Sequence, residues 1–125
     1  MAATKARTGI WSSQTLTAGA GDTTSSVIDL SSAYGAQVSI KLTNGGTGPT
    51  VAAQVQAKVA NDYNAGSPTL LCNFGGAFQG GTTNSGVYYC SIEVPVGVAA
   101  IELVAGSNTG QNVTVDADIS IVTGL

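Results

Sequence analysis

Ala36-Gln37-Val38-Ser39-Ile40-Lys41-Leu42-Thr43-Asn44-Gly45-Gly46-Thr47-Gly48-Pro49-Thr50-Val51-Ala52-Ala53-Gln54-Val55-Gln56-Ala57-Lys58-Val59-Ala60-Asn61 is the stretch whose reading decides the fold. Val38, Ile40 and Leu42 alternate with Gln37, Ser39 and Lys41. Beyond the turn composition of residues 44–49 the alternation resumes, with Val51, Ala53, Val55, Ala57 and Val59 set against Gln54, Gln56 and Lys58. A period of two puts apolar side chains on one face of a strand and polar ones on the other. The simplest arrangement is one long antiparallel hairpin with Leu42 opposite Val51, Ile40 opposite Ala53 and Val38 opposite Val55. A slip by one residue would invert both faces. An isolated hairpin is marginal in water, so this apolar face requires a second sheet over it.

The rest of the chain supplies the strands for that sheet. Residues 8–17 hold Ile10, Trp11 and Leu16, residues 27–30 form a short apolar run, and residues 69–74 follow a turn-rich segment, 62–68. Residues 87–94 alternate and are expected to pair back onto Leu70, Cys72 and Phe74, until Pro95 and Gly97 stop the ladder. Residues 99–105 follow, and 112–123 show the clearest alternation, with Val113, Val115, Ala117, Ile119 and Ile121 against Thr114, Asp116, Asp118 and Ser120. No segment has a helical apolar period with a cap. The expected fold is therefore all-β: a two-sheet antiparallel β-sandwich, jelly-roll-like, of about eight strands, with a partly closed barrel as the alternative. Residues 1–9 read as an N-terminal arm and 10–125 as a single sandwich domain.

A chain of 125 residues is one domain that can remove about two-thirds of its unfolded surface from water. Only 9% of its residues are charged, against roughly 25% in an ordinary soluble domain. Thr, Ser, Asn, Gln, Gly and Ala must make its surface, which is weakly protected against association, so part of it is expected to be covered in an oligomer or assembly. The cations are Lys5, Arg7, Lys41 and Lys58, and the formal net charge is −3. Four scattered cations make no basic stripe for nucleic acid. No apolar run follows Lys5 and Arg7, so the start reads as an unprocessed cytoplasmic product of bacterial type. The longest apolar run, 94–101, is interrupted by Pro95 and Gly97 and is too short for a membrane span.

Histidine is absent, which removes the usual general base and the commonest metal ligand. An enzyme is the least favoured class, and no cofactor is expected. Asp116 and Asp118 share a strand face. Their spacing suits a calcium ion, and equally a pair of solvated carboxylates that keep an outer strand from pairing. Glu93 and Glu102 show no sign of the burial a glycosidase acid needs. The glycine-rich runs lack the Lys-Ser/Thr ending of a phosphate loop. In the register that puts Leu70 opposite Ile92 and Phe74 opposite Tyr88, Cys72 and Cys90 face each other. A disulfide there would contribute about 3 kcal/mol, while a cytoplasmic product would keep both as reduced core thiols. Trp11 can anchor the core, an inter-subunit seam or a ligand. Tyr63 sits in the turn-rich segment 62–68 and Phe78 in the glycine-rich segment 75–86, both placed for surface contact.

The strand Val27-Ile28-Asp29-Leu30-Ser31, the passage Tyr34-Gly35-Ala36 into Val38-Ser39-Ile40-Lys41-Leu42-Thr43-Asn44-Gly45, the turn Thr47-Gly48-Pro49-Thr50 and the run Thr83-Asn84-Ser85-Gly86-Val87-Tyr88 together resemble small virion structural proteins of tailed bacteriophages. The decoration, or cement, proteins of the head are the family they resemble most. That resemblance implies a β-sandwich, often a homotrimer, docked on the outside of an expanded shell where major capsid subunits meet. The partners it implies are further copies of the chain and the major capsid protein, with neither nucleic acid nor membrane, and the location is the head surface of the virion. Lys5 and Arg7 of the arm and the glycine-rich loops would be the parts that touch shell or neighbour. Two other readings stand beside it: a tail, fibre or baseplate component, and a lectin-like adhesin with Tyr63, Phe78, Tyr88 and Tyr89 as sugar-stacking platforms.

Overall fold

The computed structural model describes residues 3–61 and 72–125. Among these residues there are ten strands and no helix. They are β1 (Thr4–Leu16), β2 (Thr23–Thr24), β3 (Ile28–Asp29), β4 (Ala36–Asn44), β5 (Gln54–Asn61), β6 (Cys72–Asn73), β7 (Phe78–Gln79), β8 (Val87–Val94), β9 (Val98–Gly106) and β10 (Val113–Gly124). One antiparallel sheet has the order β1-β10-β4-β8. In the other, β9 and β5 lie side by side. β2 and β3 share the free edge of β9, and β6 and β7 share the free edge of β5. Each sheet is thus four strand positions wide. The pairings are nested, first position with last, second with seventh, third with sixth and fourth with fifth. That is a single long hairpin rolled into two layers, the jelly-roll topology.

The rolling corrects the reading of residues 36–61. β4 and β5 do not pair with each other. β4 lies between β10 and β8, with Leu42 opposite Val115 and Tyr88, and Ile40 opposite Ala117 and Cys90. β5 lies in the other sheet against β9. Val51, expected opposite Leu42, bridges to Thr109 and is half exposed. The two alternating segments face each other across the core, where stacked sheets sit roughly 10 Å apart, rather than side by side at roughly 4.8 Å. Apart from Val51, either arrangement hides the same residues. Val38, Ile40, Leu42, Ala53, Val55, Ala57 and Val59 are all buried.

Three further expectations change with the topology. Residues 4–9 are no loose arm but the first half of β1, paired with β10 from Gly124 to Asp118. β10, read as an outer strand, is interior to its sheet, between β1 and β4. β8 pairs with β4, whereas Cys72 and Asn73 pair with β5 in the other sheet, and Leu70 lies outside the described residues; Pro95 and Gly97 then carry the chain across to that other sheet, where β9 starts. The core these strands enclose is aliphatic, with Leu16, Ile101, Leu103, Val113, Val115 and Ile119 fully buried beside the residues of β4 and β5. Each such side chain contributes on the order of 1.5–3 kcal/mol by leaving water.

Candidate functional site

The sandwich has two dissimilar ends and one grooved face. At one end lie the crossing 45–53 and the loops 80–86 and 107–112. The inward alternation of β4 (Val38, Ile40, Leu42) continues into Asn44, which is 5% exposed. Its Nδ2 donates to the carbonyls of Gly81 (3.0 Å) and Thr83 (2.8 Å), and its backbone N–H to that of Gly86 (2.8 Å). Asn84 Oδ1 accepts from the Gly48 N–H at 2.8 Å. A Cβ at Gly48 would overlap the Thr82 carbonyl, and one at Gly81 or Gly86 would overlap the phenol of Tyr88. Of the glycines that suggested an adaptable loop, Gly80, Gly81 and Gly86 therefore permit close packing, while Gly75 and Gly76 stand clear of other atoms. Buried Asn108 ties the same end on its other side, donating to the carbonyls of Leu16 and Gln111, both at 2.9 Å. Asn112 Oδ1 accepts from the Ala18 N–H at 2.9 Å.

The opposite end has the turns 30–35 and 95–97, closed by backbone bonds such as Tyr34 N–H to Val122 O at 2.8 Å and Val98 N–H to Pro95 O at 3.2 Å. Asp29 Oδ1 accepts from the Ser31 N–H at 2.9 Å. Hydrogen bonds from the Ser31 side chain and backbone hold the Asp29 carboxyl below its ordinary pKa. This end carries exposed apolar groups: Tyr34 is 50% and Val96 62% exposed. Tyr34 borders a notch of about 480 Å³ lined also by Lys5, Glu93, Pro95 and Val122 among others.

The outward face of the β1-β10-β4-β8 sheet holds a second cleft of about 460 Å³, lined by Arg7, Trp11, Lys41, Tyr89, Asp116 and Asp118 among others. The register places Asp116, Lys41 and Tyr89 in one row across three strands. Arg7 forms an ion pair with Asp118, its Nε donating to Oδ2 at 2.7 Å. Asp116 Oδ1 accepts from the N–H of Ser13 at 2.7 Å, at a β1 irregularity where Ser13 has a φ of 50°. Both carboxylates proposed for calcium thus have partners within the protein, and no cluster of three or more His, Cys, Asp or Glu side chains suited to a metal occurs among the described residues.

Of the five contact residues expected from sequence, Lys5, Arg7 and Trp11 share β1, whereas Phe78 is on β7 in the other sheet, half-buried against the core. Tyr63 lies outside the described residues. Tyr88 is no open platform: it faces inward beneath the glycine loop, and the Thr83 N–H points to its hydroxyl at 3.4 Å. Tyr89, on the other face, is 73% exposed. Cys72 pairs with Val59 in one sheet and Cys90 with Ile40 in the other, which removes the cross-strand register on which a disulfide was expected. The Cys90 thiol is free, and burial raises its pKa. Asn44, Asn108 and Tyr34 were not singled out in the sequence. An asparagine at the next inward position of an alternating strand was the available signal for Asn44.

No protein-family model matches this chain, and no curated protein matches it. Among solved structures it is similar to the infectious bursal disease virus VP2 subviral particle protein (TM-score 0.64, 9% identity), which it matches over 97% of its own length and 33% of that chain. It is also similar to a chain in the structure of the Gx strain of infectious bursal disease virus (TM-score 0.59, 12% identity, 97% of this chain and 32% of that one). A third similarity is to the enzymatically active domain of tailspike protein 4 of bacteriophage CBA120 (TM-score 0.53, 11% identity, 95% and 19%). The chain spans about a third or less of these proteins. At such identities the likeness is one of fold: the β-sandwich is an architecture that viral capsid and phage tailspike proteins share.

Proposed function

We propose that this chain is a non-enzymatic phage virion structural protein, a capsid decoration protein that binds the outer surface of the expanded head and holds neighbouring major capsid subunits together. The observation that carries the reading is the end where Tyr34, at the rim of a notch, and Val96 stand in solvent on a chain with only 9% charged residues. Such groups favour a protein neighbour over water. The virion context rests on the sequence resemblance and is supported by a sandwich fold that viral proteins use. Stabilisation follows from mass action, since a ligand that binds only the assembled, expanded lattice shifts the equilibrium toward that lattice. Many copies on one shell add avidity. The homotrimer implied by the resemblance belongs to this proposal and is tested by solution mass.

The test is co-sedimentation of the purified protein with emptied expanded heads and, separately, with compact precursor shells of the phage that encodes it. Binding to expanded heads alone, at a copy number comparable with that of the major capsid subunit, is the expected result. Equal binding to precursors, or a few copies at the tail, would replace this reading with a tail or fibre component.

A further inference from the structure

We infer that the outward cleft of the β1-β10-β4-β8 sheet is a binding site for a neutral glycan, with Tyr89 as its stacking platform and the charged row beside it as its hydrogen-bonding floor. A sugar presents a C–H face, which stacks on aromatic rings, and a rim of hydroxyls, which bind best to paired donors and acceptors. The cleft supplies both. Tyr89, on edge strand β8, stands 73% exposed where no core contact requires an aromatic residue. Trp11, on the opposite edge strand β1, sits opposite inward-facing Ala117 and packs against the core, where it borders the cleft. Strands in a sheet are roughly 4.8 Å apart, so β1 and β8, separated by three such spacings, lie about 14 Å from each other. That suits a short oligosaccharide better than a single sugar.

The floor gives the class of glycan. Arg7 and Lys41 are balanced by Asp116 and Asp118, so the cleft has no formal excess of either sign and offers a polyanion no advantage. Arg7 and Asp118 are already joined, which presents donors and an acceptor side by side for vicinal hydroxyls. The volume of about 460 Å³ falls within the range of small-ligand sites. The row that carries Tyr89, Lys41 and Asp116 is set by strand register, so its spacing exists before any ligand arrives.

This inference does not depend on shell docking, which uses the end bearing Tyr34 and Val96. Trp11 is the only tryptophan, so its fluorescence reports directly on the cleft. The intact protein is screened against an array of neutral and acidic glycans, and the hits are titrated at millimolar concentration by tryptophan emission and calorimetry. Saturable binding of one or more neutral oligosaccharides with a change in Trp11 emission is expected. Tyr89→Ala should weaken it about tenfold while Tyr89→Phe retains it. Because Trp11 also packs on the core, Tyr89 is the decisive variant, and circular dichroism confirms that it is folded. The inference is overturned by an absence of neutral-glycan binding, by binding confined to acidic glycans, or by neutral-glycan affinity that Tyr89→Ala leaves unchanged.

Discussion

The two ends of this sandwich solve the problem of unpaired loop backbone in opposite ways. At one, asparagine side chains reach between loops distant in sequence: Asn44 holds residues 81 and 83, Asn84 holds Gly48, Asn108 holds Leu16 and Gln111, and Asn112 holds Ala18. At the other, turns close on backbone bonds, some within the turn and some to a distant strand, and Tyr34 and Val96 stand in solvent. The clasps of the first end depend on the identity of its asparagine side chains. The second is held by contacts that would persist if its side chains were exchanged. Side-chain hydrogen bonding between loops is therefore concentrated at one end.

Matched glycine substitutions break this comparison most directly. Gly48→Ala drives a methyl group into the Thr82 carbonyl and should destabilise by about 3 kcal/mol. Gly97→Ala, in the turn of the other end, meets nothing within 4 Å and should be neutral or stabilising by up to about 1 kcal/mol through the unfolded chain. Urea midpoints of the two variants measure the contrast, and equal losses would mean that the ends do not differ. Next in size, Asn44→Ala removes the two side-chain bonds to the 80–86 loop and should cost about 2 kcal/mol, with faster amide exchange confined to residues 80–86.

The remaining predictions concern the open end. Tyr34→Ser combined with Val96→Ser should change stability by no more than about 0.5 kcal/mol, yet abolish co-sedimentation with expanded heads. The smallest effect belongs to Asp29. Its carboxyl pKa is lowered in the folded state by Ser31, so its contribution is present above the unfolded carboxylate pKa and fades as pH falls through the lowered folded value. A pH series of urea midpoints for the parent and Asp29→Asn should show a gap at neutral pH that closes only in strong acid.

Much of the layered architecture was legible before any coordinates. The faces read for residues 37–42 and 53–59 match the structure because alternation belongs to the pleat of a single strand and needs no knowledge of its neighbour, while Val51 is half exposed and Asn44, read as turn, points inward. The glycine-rich segment 75–86 was legible as a connection but not as part of a clasp. A glycine that permits motion and one that permits contact are the same letter, and only the Thr82 carbonyl and the Tyr88 ring tell them apart. The candidate site was less legible. Trp11, Arg7, Asp116 and Asp118 were each noticed separately, but their meeting with Lys41 and Tyr89 depends on β10 lying between β1 and β4, and on β4 lying beside β8.

Sequence alone determined the all-β class, the faces of the main strands and a surface too poor in charge to repel neighbours. Only the tertiary structure decided which strands pair, that residues 36–61 span both layers instead of forming a hairpin, and that the polar residues of four strands line one cleft. The physical reason is that facing is written in side chains, one residue after the next. Pairing is made by backbone N–H and C=O groups, which are nearly the same at every position and take the partner that buries the whole core best.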